Sequence, residues 1–431
     1  MGNLPLTYKI NNGQSEIGGM PALELAKEFG TPLYVFDEQT IRETCRRYKD
    51  SFKSRYPNTE IVYASKAFSS TAILKIMQDE GLGADVASGG ELYTALKAGM
   101  NSRKIYFHGN NKSPSEIEMA LKSSVGRVVV DNFDELKRLD EISVRTGMRA
   151  DCLIRVNPGV EAHTHEFIQT GRTDSKFGIT KERVLEAVAL IDKMRNINFV
   201  GLHAHIGSQI FDVSSYSALI DVLLGLAKEI YEKTEIEIEE LNIGGGLGVS
   251  YLEEDKAPTI EALAASVTSH LKEKARELDL EEPRLILEPG RSIVSLAGVT
   301  LYTVGVIKDI PGIRKYVCVD GGMSDNPRPI LYGAKYDAVI AGKADKPKTD
   351  KVTLAGRFCE SGDILIKDIM LPASEIGDIV LVPCTGAYNY SMSSNYNRVP
   401  RPAVVLVSEG DATLIVARET YDDLTSHDIL T

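Results

Sequence analysis

From residue 59 to residue 290, short β-rich apolar runs alternate with longer amphipathic segments, the pattern of parallel strands joined by helices. Eight such runs occur, at Ile61–Ser65, Ala84–Ala87, Lys104–Phe107, Arg127–Val130, Cys152–Val156, Val200–His205, Glu240–Ile243 and Leu285–Glu288. The segments between them include SPSEIEMALKSS and NFDELKRLDEISVRTG, which open on the helix caps Ser113 and Asn132, and TKERVLEAVALIDKM and TIEALAASVTSHLKEKARELD. Eight strand–helix repeats predict an α/β fold, a closed (β/α)8 TIM-type barrel, with an open doubly wound sheet as the alternative that spacing alone leaves standing.

After about residue 292 the long helical patterns stop. Strand-like runs follow one another instead (VTLYTVGVIKDI, KYVCVDGG, DAVIAG, KVTLAG, DILIKDI, DIVLVPCTG, PAVVLVSE, ATLIVARE), which predicts a mostly antiparallel C-terminal β domain. The expected organisation is an N-terminal segment, 1–30, packing with the β domain, a barrel over 31–291 and the β domain over 292–431. Within the first segment LPLTYKI is expected to pair with the C-terminal sheet.

Composition narrows the function classes. A chain of 431 residues exceeds the size at which one core keeps growing, so two domains are expected. No stretch approaches the roughly 18 uninterrupted apolar residues of a membrane span, and the mean hydropathy of -0.12 is that of a water-soluble enzyme. The start, MGNLPLTYKI, lacks the basic flank and apolar run of a secretory signal, and five widely spaced cysteines without a CxxC pair suit a reducing compartment, so a cytoplasmic location is expected. A formal charge of -12 with no basic run argues against nucleic acid and for small-molecule partners.

In a barrel of this type the site forms at the carboxyl ends of the strands. There the chain places Ser65-Lys66, His108-Gly109-Asn110, Asn157, His205-Ile206-Gly207-Ser208, Gly244-Gly245-Gly246 and Glu288-Pro289-Gly290-Arg291. Lys66 ends a run expected to be buried, where an ammonium must be paired, neutral or covalently used; a Schiff-base lysine meets that need, and a lysine reaching for solvent is the plain alternative. The triple glycine lets backbone N–H groups approach a phosphate, although such a run is also a flexible turn. Glu288 in RLILE calls for a cationic partner, either a protonated ring nitrogen or an ordinary lysine or arginine. His203 and His205 alternate like a metal pair, but no third ligand with metal-site spacing follows and no metal is expected. His108, His163 and His165 are candidates for substrate binding or are satisfied loop residues.

With these residues in place, the sequence resembles the fold type III, alanine-racemase-type pyridoxal-phosphate decarboxylases, and within them the diaminopimelate decarboxylases. The resemblance covers nearly the whole chain, through FGTPLYVFDE, YASKA, ASGGEL, HGNNKS, RVNPGV, THEFIQTGRTDSKFG, HAHIGSQ, NIGGGLG, EPGRSIV, DNPRPILY, GRFCESGDIL and GAYNYSMSSNYNRVPRP in matching order. It implies decarboxylation of meso-2,6-diaminopimelate to L-lysine, the last step of lysine biosynthesis, with pyridoxal 5′-phosphate carried on Lys66. It further implies that His205 stacks on the cofactor ring and Glu288 pairs with the pyridinium nitrogen. The phosphate would rest on Ser208, Gly244, Gly245, Gly246, Gly290 and Arg291, with Tyr388 reaching both cofactor and substrate. Arg291, Arg328 and Tyr332 would hold the distal carboxylate of the substrate, Glu360 its distal ammonium, and Cys359 would donate a proton. A homodimer in which the CESGD segment of one chain completes the site of the other is also implied. The alternatives are a related decarboxylase of ornithine, arginine or carboxynorspermidine, and a pyridoxal-phosphate-binding homologue without turnover; two arginines at the distal end would repel a substrate that ends in an ammonium alone.

Overall fold

The computed structural model describes residues 2–159 and 175–430. They group into two compact units, one made of Thr44–Gly248 with Ala257–Ser292, the other of Met1–Glu43, Val249–Lys256 and Ile293–Thr431.

In the first unit, among the described residues, eight parallel strands form the barrel, at Thr59–Ala64, Gly83–Val86, Ile105–Phe107, Arg127–Val130, Ala150–Asn157, Ile197–His203, Glu240–Asn242 and Arg284–Leu287, and the two-residue strand Ile179–Thr180 pairs with the fifth. Each pairs with the next, and the eighth returns to the first through Leu285 opposite Thr59, so the sheet closes into a barrel and the open-sheet alternative falls. All eight expected runs are strands, shifted by a few residues at their ends. Val62, Tyr106, Val129, Leu153, Val200 and Ile286, from six different strands, meet as one buried layer that fills the interior. At the opposite end to the expected site, Arg127 donates to Glu240 at 2.7 and 2.9 Å and Arg284 to Glu60 at 2.6 Å. These pairs tie the starts of the first, fourth, seventh and eighth strands and leave the other end open for chemistry.

The helix starts at Ser113 and Asn132 are those read from the sequence, and Thr259 opens a further one. Ser113 caps Pro114–Lys122 in a reciprocal box with Glu116, Asn132 caps Phe133–Thr146, and Thr259 caps Ile260–Glu277. In the loop after the third strand, Lys112 is buried and donates to Glu135 at 2.7 Å and to the carbonyls of Gly109 and Val129, which pins the loop that carries His108.

The second unit is a mixed sheet. Its long strand Gly298–Ile310 pairs antiparallel with Arg314–Val319, Ile379–Val382 and Leu33–Asp37, while the pairs Leu33–Asp37 with Ala403–Ser408 and Arg314–Val319 with Asp350–Ala355 are parallel. Leu33–Asp37, which the sequence reading placed in the barrel segment, therefore lies inside this sheet. The expected pairing of LPLTYKI with the C-terminal sheet is not formed. Lys9–Asn11 pairs with Gln14–Ile17 through a tight turn in which Asn12 and Gly13 both take positive φ, and Ile17 packs with Val299, Leu301, Val405 and Val407 in a common core. Among the described residues no helix is long and apolar enough to cross a membrane.

Candidate active site

The barrel strands deliver their polar residues to one end of the barrel unit. The first strand stops at Ala64 and Lys66 follows in the single turn Ser65–Ala67, with Ser65 and Ala67 buried and Lys66 exposed. The burial expected of this lysine is thus not found, because the residue lies beyond the last ladder position; its amine is accessible for reaction. A side-chain carbon on Gly290 would stand 2.9 Å from the Ala64 Cβ, so the turn after the eighth strand packs directly on the strand end that bears Lys66.

Glu288 follows the eighth strand and is 6% exposed, too enclosed to be solvated as a free ion. Its Oε1 accepts from Asn242 Nδ2 at 2.6 Å and from His108 Nε2 at 2.7 Å, and its Oε2 from His203 Nε2 at 3.2 Å. Burial alone would raise this carboxyl, but the two imidazoles and their hydrogen bonds outweigh it and hold Glu288 well below the usual carboxylate range. Burial pushes His203 down to about 4, so near neutral pH it is uncharged and acts on Glu288 through its N–H. Among the described residues no lysine or arginine lies within ion-pair distance of Glu288, which removes the plain salt-bridge reading.

The two histidines of HAHIG do not act as a pair. The sixth strand ends at His203, which turns to Glu288, while His205 lies beyond it and is held well below its ordinary value first by burial and then by the nearby charges of Lys66 and Arg155. His108, His203 and Glu288 have ligand atoms within 4.8 Å of one another. Three N–H donors nevertheless converge on one carboxylate there, an arrangement that stabilises an anion rather than presenting lone pairs to a cation. His163 and His165 lie outside the described residues, as does most of THEFIQTGRTDSKFG.

The glycine turn after the seventh strand approaches its neighbours too closely for any side chain. A Cβ on Gly245 would stand 2.1 Å from the Glu288 carbonyl oxygen, and one on Gly246, where φ is +118°, would stand 2.3 Å from the Gly207 oxygen. Gly244 abuts the His205 ring, and Arg291 donates to Ser208 Oγ at 3.0 and 3.3 Å. Lys66, His205, Ser208, Gly244, Gly245, Gly246, Glu288, Gly290 and Arg291 are thereby contiguous. An ionised buried carboxylate, a flat uncharged imidazole, an amine and a glycine-lined cradle beside a guanidinium match the protonated ring, aldehyde and phosphate of pyridoxal phosphate, so the residues present fit that group.

Arg328, Tyr332, Cys359, Glu360 and Tyr388 belong to the second unit. Arg328 starts the short helix Arg328–Tyr332, is 7% exposed, lies 4.9 Å from the Tyr251 ring centre, and donates to the hydroxyls of Tyr251 and, at 3.4 Å, Tyr336. Among the described residues no carboxylate reaches ion-pair distance of it. Cys359 and Glu360 are exposed in a loop held by Asn397 Oδ1, which accepts from the Cys359 N–H at 3.0 Å. A Cβ on Gly362 would touch Ile330 at 3.0 Å, so this loop lies against the helix that carries Arg328 and Tyr332. Tyr388 has a φ of 61°, a backbone strained for a tyrosine and found most often where function holds it.

Sequence reasoning passed over Asn242 and the two tyrosines around Arg328. Asn242 had a usable signal, as the last strand residue before GGG; Tyr251 and Tyr336 had none, being close to Arg328 only through the fold.

Comparison with known proteins agrees with this geometry. Residues 38–295 match the family model described as pyridoxal-dependent decarboxylase, pyridoxal binding domain. A diaminopimelate decarboxylase of Bacillus subtilis is 47% identical over 423 residues, 97% of this chain and 96% of the relative, and one of Synechocystis is 46% identical over 99% of this chain and 93% of its own length. The crystal structure of diaminopimelate decarboxylase from M. jannaschii in complex with L-lysine superposes with a TM-score of 0.94 at 38% identity, covering 100% of this chain and 99% of that one. Agreement of this extent, over barrel and β domain alike, means that the chain belongs to the diaminopimelate decarboxylases, within the pyridoxal-dependent decarboxylase family.

Proposed function

We propose that the chain converts meso-2,6-diaminopimelate to L-lysine and CO2, the last step of lysine biosynthesis, with pyridoxal 5′-phosphate as cofactor. The observation that carries the substrate assignment is Arg328: a buried guanidinium held by two tyrosine hydroxyls, with no carboxylate of its own among the described residues, is a receptor waiting for a carboxylate. Diaminopimelate brings one at its distal end; ornithine and arginine do not. The bound L-lysine of the M. jannaschii relative is the product of the same conversion.

When bound, the cofactor supplies the electron sink that accepts the pair left as CO2 departs. Lys66 holds it covalently. Glu288 keeps a negative charge toward the ring nitrogen and so keeps a proton at that atom. His205, uncharged at neutral pH, offers a flat face for the ring. Ser208, Gly244, Gly245, Gly246, Gly290 and Arg291 bind the phosphate, with Tyr388 contributing to cofactor and substrate. Arg291, Arg328 and Tyr332 take the distal carboxylate, Glu360 takes the distal ammonium, and Cys359 returns a proton to the carbon that CO2 has left. We assign the last two roles across a homodimer interface, with the 292–431 domain of one chain completing its partner's site; the exposure of Cys359 and Glu360 supports this. None of the five cysteines is in a disulfide, which supports a cytoplasmic location.

The test is release of CO2 from diaminopimelate isomers, ornithine and arginine compared on the purified protein. Turnover is expected on meso-diaminopimelate alone; preferred turnover of ornithine or arginine, or binding without turnover, overturns the assignment. Arg328→Ala is expected to raise the apparent KM for diaminopimelate by roughly 10- to 100-fold, the worth of one charged hydrogen-bonded contact, with a smaller change in kcat. An unchanged KM removes Arg328 from substrate binding.

A further inference from the structure

We propose that Asn242 is a positioning residue that ties the two ends of the cofactor site together, orienting Glu288 with its amide N–H and the glycine turn with its amide oxygen. The inference rests on the reading that Glu288 serves the ring nitrogen and that the glycine turn serves the phosphate.

Asn242 is the last residue of the seventh strand and is fully buried. Its Nδ2 donates to Glu288 Oε1 at 2.6 Å and its Oδ1 accepts from the Gly244 N–H at 2.9 Å. Together these contacts fix the amide's orientation. An ionised carboxylate only accepts and a backbone N–H only donates, so a rotated amide would set oxygen against oxygen and hydrogen against hydrogen. The circuit closes through the main chain, where the Glu288 N–H donates to the Gly244 carbonyl at 2.9 Å. Glu288 and Gly244 are thus held to each other twice, once through backbone and once through Asn242. A displacement of the carboxylate is transmitted to the glycine turn, and the distance between ring end and phosphate end becomes a property of the protein rather than of the ligand.

Asn242 is also the donor to Glu288 that does not titrate. The other groups facing the carboxylate are His108 after the third strand and His203 on the sixth. Around them stand Asp85 on the second strand, 3.8 Å from His108, Arg155 on the fifth, and Lys66 and His205 at the site mouth. An amide donor keeps one hydrogen bond to Glu288 constant whatever the protonation of these neighbours.

The test uses full-length Asn242→Leu, Asn242→Asp and Glu288→Gln proteins. Two quantities are measured from about pH 6 to about pH 9: the dissociation constant for pyridoxal phosphate without substrate, and the ability of inorganic phosphate to compete with its uptake. Asn242→Leu removes both contacts, and the cofactor constant is expected to rise roughly tenfold or more at every pH, with phosphate competing several-fold less well. Asn242→Asp sets a carboxyl against Glu288. When the two share a proton they reproduce the donor–acceptor pattern of the amide, and when that proton leaves they repel. Its affinity is therefore expected to approach the parent's at the low end of the range and to fall toward the high end with a slope the parent lacks, a signature that lost packing would not give. Parent-like binding by Asn242→Leu, or a pH profile of Asn242→Asp parallel to the parent's, overturns the role of Asn242; should the leucine protein not fold, the isosteric aspartate decides alone. If Glu288→Gln is itself indistinguishable from the parent, the underlying reading of the site has failed instead.

Discussion

Lys66→Ala protein is expected to fold, to lack the visible absorbance of a lysine-bound cofactor, and to lose turnover by on the order of 10^4-fold or more, as when the nucleophile of a covalent mechanism is removed. Folding should survive because the Lys66 side chain is exposed while its neighbours Ser65 and Ala67 carry the packing; substitutions at such positions change stability by about 0.5 kcal/mol or less. The competing amine in the same end of the barrel, Lys112, is a poor substitute. It is buried, and its Nζ is held by Glu135 and by two main-chain carbonyls, so attachment there would break all three contacts and leave the buried Glu135 unpaired. Borohydride reduction of the parent protein followed by peptide mapping should find the pyridoxyl group on Lys66. Its recovery on Lys112 or any other lysine rejects the assignment.

The barrel was legible in the sequence because its βα units are built from local signals: a short apolar run, then an amphipathic helix, in several units opened by a capping residue such as Ser113, Asn132 or Thr259. Eight such units suit a closed barrel, and the pairing of the eighth strand with the first excludes the open sheet. The N-terminal strand was misplaced for the complementary reason. Its partner is set by the Asn12-Gly13 turn, a two-residue signal that outweighs the β propensity of the run before it. At the site, placement set by position along a strand was legible: Glu288 lies just after the eighth strand and the glycines just after the seventh. Lys66 lies at the end of the first strand as read, but it is exposed rather than buried. The partners that make Glu288 an anion escaped, because Asn242, His108 and His203 come from three strands and meet through the closure of the barrel. Only the fold brings Tyr251 to Arg328, across a gap of 77 residues.

Cys359→Ala is expected to bind cofactor and substrate like the parent and to lose turnover by about 10^2- to 10^4-fold, the usual worth of a positioned proton donor. The carbon that CO2 leaves must gain a proton on one face, and a donor that enters with a partner chain can deliver it without admitting bulk water. Cys359 suits that role by location: it is exposed, its loop is fixed from behind by Asn397, and the loop lies against the helix that carries Arg328. Mixing then separates a donor in trans from one in cis. In a hybrid of one Cys359→Ala chain and one Lys66→Ala chain, a donor in trans gives one site with both defects and one with neither, whereas a donor in cis gives two sites with one defect each. Equal random mixing makes half the dimers hybrids with one working site of two, so about a quarter of parental turnover should return. Hybrids that form, as seen by mass or by affinity tags on each chain, and yet stay inactive would exclude donation across the interface. Normal turnover by Cys359→Ala alone would place the acid on another residue.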